Sequence, residues 1–269
     1  MSELLLDGKK IHYEVHGEAT TNSPIVILNG IMMSTKSWHQ FLPSLTQHNQ
    51  VILLDFFDQG LSADHPEPYT QAKQVEVVKA VFDHLALHSP TLVGISYGGS
   101  VALTFAATYP EHIGKLMVLN ATTHYGDWQR AIGESWILSK NDPANFYATT
   151  IPWVYAIDFY NANPNYFNER KELLSTNVFN QTTFMERMER LTRSVASYDV
   201  LGDLPKITAQ TMIVGSEDDY LTPVKAQRRM ADGIKGADLV IMADCGHASM
   251  YERPIVFTSL IQGFANYKS

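Results

Sequence analysis

Six short runs of apolar residues, each ended by small or polar residues, constrain the fold of this chain more than any other feature. Continuous apolar runs of about four to eight residues are typical of strands that are buried on both faces, as in parallel sheets. We therefore expect one central sheet built from these runs. They are IVILNG (25–30), VILLD (51–55), TLVGIS (91–96), KLMVLN (115–120), TMIVGS (211–216) and DLVIMAD (238–244).

Segments with helical periodicity separate these runs. Residues 71–87 carry an apolar stripe, residues 99–110 stop at a proline, and residues 253–267 have a proline at a plausible first helical position. Near the N-terminus, Asp7-Gly8 is a turn signal between two short strand-like segments and predicts a β-hairpin. The alternation of strands and helices predicts an α/β fold with a mostly parallel central sheet flanked by helices.

One long region lacks this alternation. Residues 121–203 contain no convincing buried strand, and 14 of the 29 aromatic side chains fall within residues 121–200. We predict a core domain made of residues 1–120 and 204–269, with a helical cap of residues 121–203 inserted after the strand that ends near Asn120. The aromatic side chains are expected to form a core of their own and, on the underside of the cap, to line an apolar pocket.

The composition argues against several classes of partner. The net charge is −8 and no cluster of lysines and arginines is present, so nucleic acids and anionic membranes are not expected as partners. No run approaches the roughly 18 apolar residues of a membrane span, and the N-terminus lacks the pattern of a signal peptide. Cys245 is the single cysteine, and no Cys/His pattern indicates a metal site. We expect a cytoplasmic monomer or homodimer without metal or cofactor.

The segment Gly94-Ile95-Ser96-Tyr97-Gly98 lies between a predicted strand and a predicted helix. The pattern G-x-S-x-G in this context is typical of a sharp, strained turn that exposes the serine hydroxyl at the carboxyl end of a strand. Two glycines, each two residues from the serine, would remove side chains that otherwise collide with their neighbours. The neighbouring helix N-terminus favours a negative charge that develops there. Ser96 is therefore predicted to be a nucleophile.

A serine hydroxyl needs a base, usually a histidine that is oriented by a carboxylate. His247 follows the last predicted strand and precedes the last helix, where catalytic groups gather in open α/β sheets, so it is the preferred base. His124, after the strand KLMVLN, is the alternative. The acid is expected at the end of the preceding strand, where Asp218 and Asp219 are both available. We choose Asp219, because it lies four residues before Pro223 in the segment DYLTP, whereas spacing from Gly215 favours Asp218.

Together these motifs make the chain resemble the α/β-hydrolase superfamily, and in particular small serine esterases with a helical cap. The resemblance covers nearly the whole chain and includes Asn29-Gly30 after a strand, LDFFDQGLS (54–62) and Gly246-His247. It implies an oxyanion hole made by the backbone N–H groups of Ile31 and Tyr97. It also implies that Asp55 and Ser62 brace a loop. Asn29 stands where the family usually has histidine, which retains the backbone donor but alters its surroundings. A serine at the turn argues against dehalogenases and epoxide hydrolases, which carry aspartate there.

The resemblance implies a serine hydrolase for carboxylic esters of small to medium acyl chains, with a small-molecule ester as its partner. Met32, Met33 and Trp153 are expected in the acyl pocket. The same residues would serve a thioesterase, lactonase, C–C hydrolase or acyltransferase, and the sequence does not separate these. A different class, a ligand-binding relative that does not turn over substrate, also remains open.

Overall fold

The computed structural model describes residues 2–267, so the ends of the two predicted core segments, at residues 1, 268 and 269, lie outside the described residues. A single eight-stranded sheet has the order β1-β2-β4-β3-β5-β6-β7-β8. The strands are β1 (Ser2–Leu6), β2 (Lys9–His16), β3 (Ile25–Leu28), β4 (Val51–Leu54), β5 (Thr91–Ile95), β6 (Lys115–Leu119), β7 (Gln210–Ser216) and β8 (Asp238–Met242). All six predicted apolar runs form strands.

Strands β3 to β8 pair in parallel, and the predicted hairpin of β1 and β2 adds an antiparallel edge. Asp7 and Gly8 both have positive φ, as the tight turn of such a hairpin requires. The last strand departs from the prediction of burial on both faces. β8 is the other edge of the sheet, and most of its side chains are half-buried because no strand lies beyond it.

Helices cover both faces of the sheet. The α-helices are α1 (Leu42–Leu45), α2 (Ala72–His84), α3 (Tyr97–Thr108), α4 (Asp127–Ser139), α5 (Pro143–Thr150), α6 (Ile157–Ala162), α7 (Pro164–Asn177), α8 (Thr182–Ser194), α9 (Val224–Gly233), α10 (Ser249–Glu252) and α11 (Pro254–Asn266). Short 3₁₀ helices occupy Thr35–Phe41, Pro110–His112, Ile151–Val154 and Leu201–Lys206.

Alternating side chains of the strands divide the core into two layers. In β3, Val26 and Leu28 pack with α2 and α3 on one face, where the ring centroids of Phe82 and Phe105 lie 4.8 Å apart. Ile25 and Ile27 point to the other face. There they belong to a layer that also contains Trp38 and residues of α11. Burial of both faces explains why the strands of the sheet centre read as continuous apolar runs.

The segment between β6 and β7, residues 121–203, is here called the helical segment. It contains α4 to α8 and has its own aromatic cluster, which includes Phe146, Tyr155 and Phe167. An isolated antiparallel bridge between His124 and Asp199 joins its two ends. None of the helices within residues 2–267 combines the length and apolarity that crossing a membrane would require.

Candidate active site

Ser96 stands between the last residue of β5 and the first residue of α3. Its backbone has φ 53° and ψ −117°, a left-handed φ that side-chain-bearing residues rarely adopt. Such strain persists only where the surrounding structure enforces it, and it is concentrated at functional sites. The side chain is half-buried rather than enclosed, so its hydroxyl remains open to the cavities described below.

Gly94 and Gly98 permit this turn, as the sequence predicts. A Cβ atom at Gly94 would overlap the carbonyl oxygen of Gly98, and one at Gly98 would overlap the carbonyl oxygen of Leu28. In both cases the obstacle is backbone, which cannot swing aside as a flexible side chain would. The turn therefore fits against β3 only when both positions lack a side chain.

His247 reaches Ser96 from the loop after β8. Its Nε2 atom lies 2.8 Å from the Ser96 Oγ atom, and its ring is almost fully buried. Glu252 of α10, itself buried, accepts hydrogen bonds from the Gly246 N–H at 3.1 Å and from the Ala156 N–H at 3.3 Å. This carboxylate, which the sequence analysis missed, ties the histidine loop to the helical segment and so fixes where the imidazole stands.

Asp219, and not Asp218, faces the histidine. The His247 Nδ1 atom lies 2.8 Å from Asp219 Oδ2, while Asp219 Oδ1 accepts from the N–H groups of Leu221 and Thr222 at 2.9 and 2.8 Å. Asp218 has no such contact with His247, and it lines an open depression that Asp219 also borders. The turn after β7 decides between the two neighbours, because successive side chains there point in different directions.

The environment of Asp219 favours its ionised form. Complete burial by itself would raise the pKa of this carboxyl, but the adjacent His247 and the hydrogen bonds from Thr222 outweigh burial and lower it. The Asn120 side chain donates a further hydrogen bond to Asp219 Oδ2 at 3.0 Å, and Ser249 holds Asn120 in place at 2.8 Å. Asn120 follows β6, and its position directly after a predicted strand was the signal that could have found it.

The loop after β3 approaches the serine from the other side. A Cβ atom at Gly30 would stand 3.6 Å from the Cβ atom of Ser96, and the next residue, Ile31, lines both cavities beside the serine. Asn29 is buried and braces this loop by donating to the Leu54 carbonyl at 2.8 Å and accepting from Trp38 Nε1 at 2.8 Å. The asparagine therefore anchors the loop through its side chain.

Asp55, Ser62 and Gln59 support the same loop from β4 and the turn that follows it. Asp55 accepts from the Thr35 N–H at 2.7 Å, and the Ser62 hydroxyl donates to the Asp55 carbonyl at 2.6 Å. Gln59 donates to the Gly30 carbonyl at 2.9 Å, a contact that the sequence analysis did not anticipate.

Two cavities open onto Ser96 and His247. The smaller has a volume of about 90 Å³ and the larger about 300 Å³. Met32 and Met33 line the larger cavity, whereas Trp153 does not. Its ring packs edge-on against Trp128 at the surface and is 43% exposed, because the 3₁₀ helix of residues 151–154 turns it outward. Ile151 and Val154, on either side of it, line the cavity instead.

Two other residues considered in the sequence, His124 as the alternative base and Cys245 as the single cysteine, lie away from these contacts. His124 borders the depression that Asp218 also lines, and its ring contacts Thr123. Burial raises the pKa of the Cys245 thiol to about 12, so this cysteine is a protonated core residue.

The sequence predicts no metal-ligand set, but the fold brings one group of candidate ligands together. Glu14 and His16, two residues apart on β2, share a face with each other, and the 3₁₀ helix of residues 35–41 adds His39. Glu14 Oε2 lies 2.7 Å from His16 Nε2 and 2.8 Å from His39 Nε2, so these groups satisfy one another by hydrogen bonds. None of the three lines either cavity at Ser96.

Comparison with known proteins identifies relatives of the whole chain. A family model described as "Alpha/beta hydrolase family" matches residues 25–259. The crystal structure of MGS-M2, an alpha/beta hydrolase enzyme from a Medee basin deep-sea metagenome library, superposes with a TM-score of 0.97 at 41% identity, over 100% of this chain and 98% of that one.

Two more distant relatives are named for different substrates. The proline iminopeptidase of Lactobacillus acidophilus is 25% identical over 95% of this chain and 94% of its own. Est816, described as an N-acyl homoserine lactone degrading enzyme, is 25% identical with a TM-score of 0.80, over 98% of this chain and all of that one. The overall fold is thus shared by proteins that are named for different bonds.

Proposed function

Because the chain belongs to the alpha/beta hydrolase family, we propose that it is a serine hydrolase that cleaves carboxylic esters of small to medium acyl chains. One observation carries the proposal. Ser96, His247 and Asp219 form a continuous chain of two contacts, each 2.8 Å long, at the mouth of two largely apolar cavities. This is the arrangement of a nucleophile, a base and a carboxylate that orients the base.

In the proposed reaction, Ser96 Oγ attacks the ester carbonyl carbon while His247 Nε2 takes the hydroxyl proton. The tetrahedral intermediate collapses with cleavage of the C–O bond, and His247 returns the proton to the leaving alcohol. Water then attacks the acyl-enzyme in the same manner and releases the carboxylic acid. Asp219 accepts from Nδ1–H throughout, which holds the ring in the productive tautomer and stabilises its charged form.

The N–H groups of Ile31 and Tyr97 are the proposed oxyanion hole. Tyr97 is the first residue of α3, so its N–H has no acceptor within the helix. The N–H of Ile31 donates to no protein acceptor among residues 2–267. Two free donors beside the serine would stabilise the negative charge of the tetrahedral intermediate, and losing one such donor typically costs about 3–4 kcal/mol.

We further propose that the helical segment, residues 121–203, is a cap domain. α4, α7 and α8 supply walls to the two cavities, and the tyrosine hydroxyl of Tyr97 contacts Ser194 of α8 at 2.8 Å, so the segment packs directly over the turn that carries the serine. A cavity of about 300 Å³ with Met32 and Met33 in its wall suits a flexible acyl chain.

Lactone hydrolysis is the second candidate, because Est816 is described as degrading a lactone and a lactone is a cyclic ester that the same steps would open. A substrate with a protonated amine, as an aminopeptidase would need, is less favoured. No aspartate or glutamate within residues 2–267 lines the larger cavity, and its one arginine, Arg170, would repel that amine.

The test uses p-nitrophenyl esters of increasing chain length together with a fluorophosphonate probe. We expect ester turnover that peaks at short to medium acyl chains, stoichiometric labelling of Ser96, and loss of both in Ser96→Ala. Undiminished turnover by Ser96→Ala would refute the proposal. The absence of both labelling and turnover, for esters, thioesters and lactones alike, would favour the non-catalytic ligand-binding alternative.

A further inference from the structure

Arg170 of α7 lies at the wall of the larger cavity and has no counter-ion among residues 2–267. It lines that cavity together with Ser96 and His247, and it is the only lysine or arginine among the cavity-lining residues of the described chain. Its side chain is half-buried, and its Nε atom is fully buried without a hydrogen-bond partner. Arginine remains charged at any physiological pH, so the site holds a permanent positive charge next to the proposed nucleophile.

Neither its own helix nor the neighbouring elements supply a carboxylate. Within residues 2–267, no aspartate or glutamate oxygen lies within 4.0 Å of its guanidinium. The residues three and four positions before and after it in α7 are aromatic or leucine. They are Tyr166, Phe167, Leu173 and Leu174.

The arginines of the next helix show the contrast. In α8, Arg187 pairs with Asp64, Arg190 with Asp58 at 2.7 Å, and Arg193 with Glu189 at 2.8 Å. The chain thus provides carboxylates for arginines that brace its structure. Arg170, the only arginine of residues 2–267 that lines the larger cavity, has no such carboxylate partner.

Tyrosine rings surround Arg170 instead. Its guanidinium carbon lies 5.8 Å from the ring centroid of Tyr166 and 5.4 Å from that of Tyr251, distances typical of cation–π contacts. These rings position the guanidinium but do not neutralise it. Burial raises the pKa of Tyr155 and that of Tyr251. Both side chains therefore stay neutral and do not balance the positive charge of Arg170.

We propose that Arg170 binds a carboxylate carried by the substrate, so that the enzyme prefers esters with a second, negatively charged end. A partly buried guanidinium without a partner is unfavourable. A carboxylate would accept two parallel hydrogen bonds from the N–H groups of the planar guanidinium. One arginine, in a wall that holds no other lysine or arginine and no aspartate or glutamate among residues 2–267, matches one monoanion. A phosphate dianion would leave uncompensated charge there. This inference takes from the proposed function only that the substrate is an ester. The carboxylate site itself is inferred from the surroundings of Arg170.

The hydrolysis experiment compares pairs of esters that differ in charge. Mono-p-nitrophenyl adipate and p-nitrophenyl hexanoate share a six-carbon acyl chain. 4-(Hexanoyloxy)benzoate and its methyl ester place the carboxylate on the leaving group instead. We expect wild-type enzyme to hydrolyse the charged ester faster than the neutral one in at least one pair. For that pair, Arg170→Met should lower the ratio of kcat/KM for the charged ester to kcat/KM for the neutral ester about 10–100-fold, because the hydrogen bonds to the carboxylate are lost. Arg170→Lys, which retains the charge without the fork, should fall between.

Arg130→Met is the matched control, because Arg130 is an exposed arginine of the same helical segment that pairs with Asp127. Arg130 lines neither cavity, so this variant removes the same charge outside the cavity walls and should leave the ratio unchanged. Comparable circular dichroism and Tm for all variants show that folding is intact, and Arg170→Lys carries the test should Arg170→Met not fold.

A binding experiment separates this inference from the proposed function. In Ser96→Ala, monomethyl adipate should bind at least about tenfold more tightly than it does in the Ser96→Ala, Arg170→Met double variant, while dimethyl adipate should not distinguish them. Selective binding without hydrolysis of any ester would overturn the esterase proposal and retain the carboxylate site. An equal effect of Arg170→Met on charged and neutral compounds, in both experiments, would overturn the carboxylate site itself.

Discussion

The sheet and the helical segment meet at the same two cavities but contribute to them in different ways. The sheet contributes the groups proposed to react, and each stands where a strand ends: Ser96 after β5, Asp219 after β7 and His247 after β8. The helical segment contributes wall residues from several helices, with no common position along them. The proposed chemistry would therefore depend on the order of the strands in the sheet, and the proposed selectivity on the packing of the helices.

The strongest way to break this comparison is to alter the sheet side at Asp219. Asp219→Asn replaces the carboxylate that accepts from His247 Nδ1 with an amide, which would favour the wrong tautomer of the ring. We expect kcat to fall about 10⁴-fold, since this substitution in a serine triad has an effect of that order. Steady-state kinetics on the best p-nitrophenyl ester measures it.

Asp218→Asn is the matched control, because the two aspartates are adjacent but only Asp219 contacts the histidine. Its kcat should stay within about threefold of wild type, as for a surface substitution without a special role. A larger loss at Asp218 than at Asp219 would mean that the acid has been assigned to the wrong residue.

A substitution in the helical segment should alter selectivity and spare the chemistry. Leu174 of α7 lines the larger cavity, whereas its neighbour Leu173 is 56% exposed. Leu174→Ala lengthens the space for an acyl chain, so the kcat/KM ratio of decanoyl to butanoyl p-nitrophenyl esters should rise about tenfold, in the range expected for methylene-sized changes in a pocket.

Leu173→Ala provides the comparison, because it makes the same deletion on the outer face of the same helix. Its chain-length profile should match that of wild type. Equal profiles for all three proteins would show that the acyl chain does not enter the larger cavity, and would direct attention to the smaller one.

The smallest expected effect concerns Glu14 at the antiparallel edge of the sheet, away from both cavities. Although burial opposes it, hydrogen bonds from His16, His39 and His12 lower the pKa of Glu14 to about 2. Because its pKa is lowered, the ionised carboxylate stabilises the fold at pH values above the usual pKa of a glutamate side chain. This stabilisation is lost as the pH falls toward about 2.

Glu14→Gln should therefore reduce the free energy of unfolding by about 2 kcal/mol at pH 7, a typical value for hydrogen bonds to a charged group. Urea titrations between pH 7 and pH 3 should show the difference from wild type shrinking below about pH 4.5, the usual pKa of a free glutamate side chain. A difference that grows as the pH falls below about 4.5 would contradict the assignment. Ester turnover at pH 7 should be unaffected.

Most strands of the sheet could be predicted because the constraints that define them act on residues close together along the chain. Burial on two faces imposes apolar runs, and the tight hairpin imposes Asp7-Gly8, so both are visible along the chain. The degree of burial of β8 was not predictable, because being at the edge is a property of strand order. The strained turn at Ser96 was predictable for the same local reason, since Gly94 and Gly98 must lack side chains wherever that turn is made.

The walls of the cavities were only partly predictable. Met32 and Met33 follow the loop beside the serine and reach the cavity by chain proximity. Trp153 was expected on the basis of its aromatic character alone, and the 3₁₀ helix that carries it turns it outward. Arg170 gave no signal, because an arginine in a polar helix is unremarkable until its neighbours in space are known.

The sequence by itself therefore determined the succession of strands and helices along the chain and the turn that exposes Ser96. It also determined the two chain regions that hold the candidate partners of Ser96. These are properties of residues close together along the chain, where sterics and periodicity act. Only the tertiary structure decided that Asp219 rather than Asp218 faces His247. It also decided that Glu252 and Asn120 hold the groups in place, and that Arg170 is left unpaired in the larger cavity. Each of those outcomes depends on the direction in which a side chain points and on what another part of the chain places opposite it.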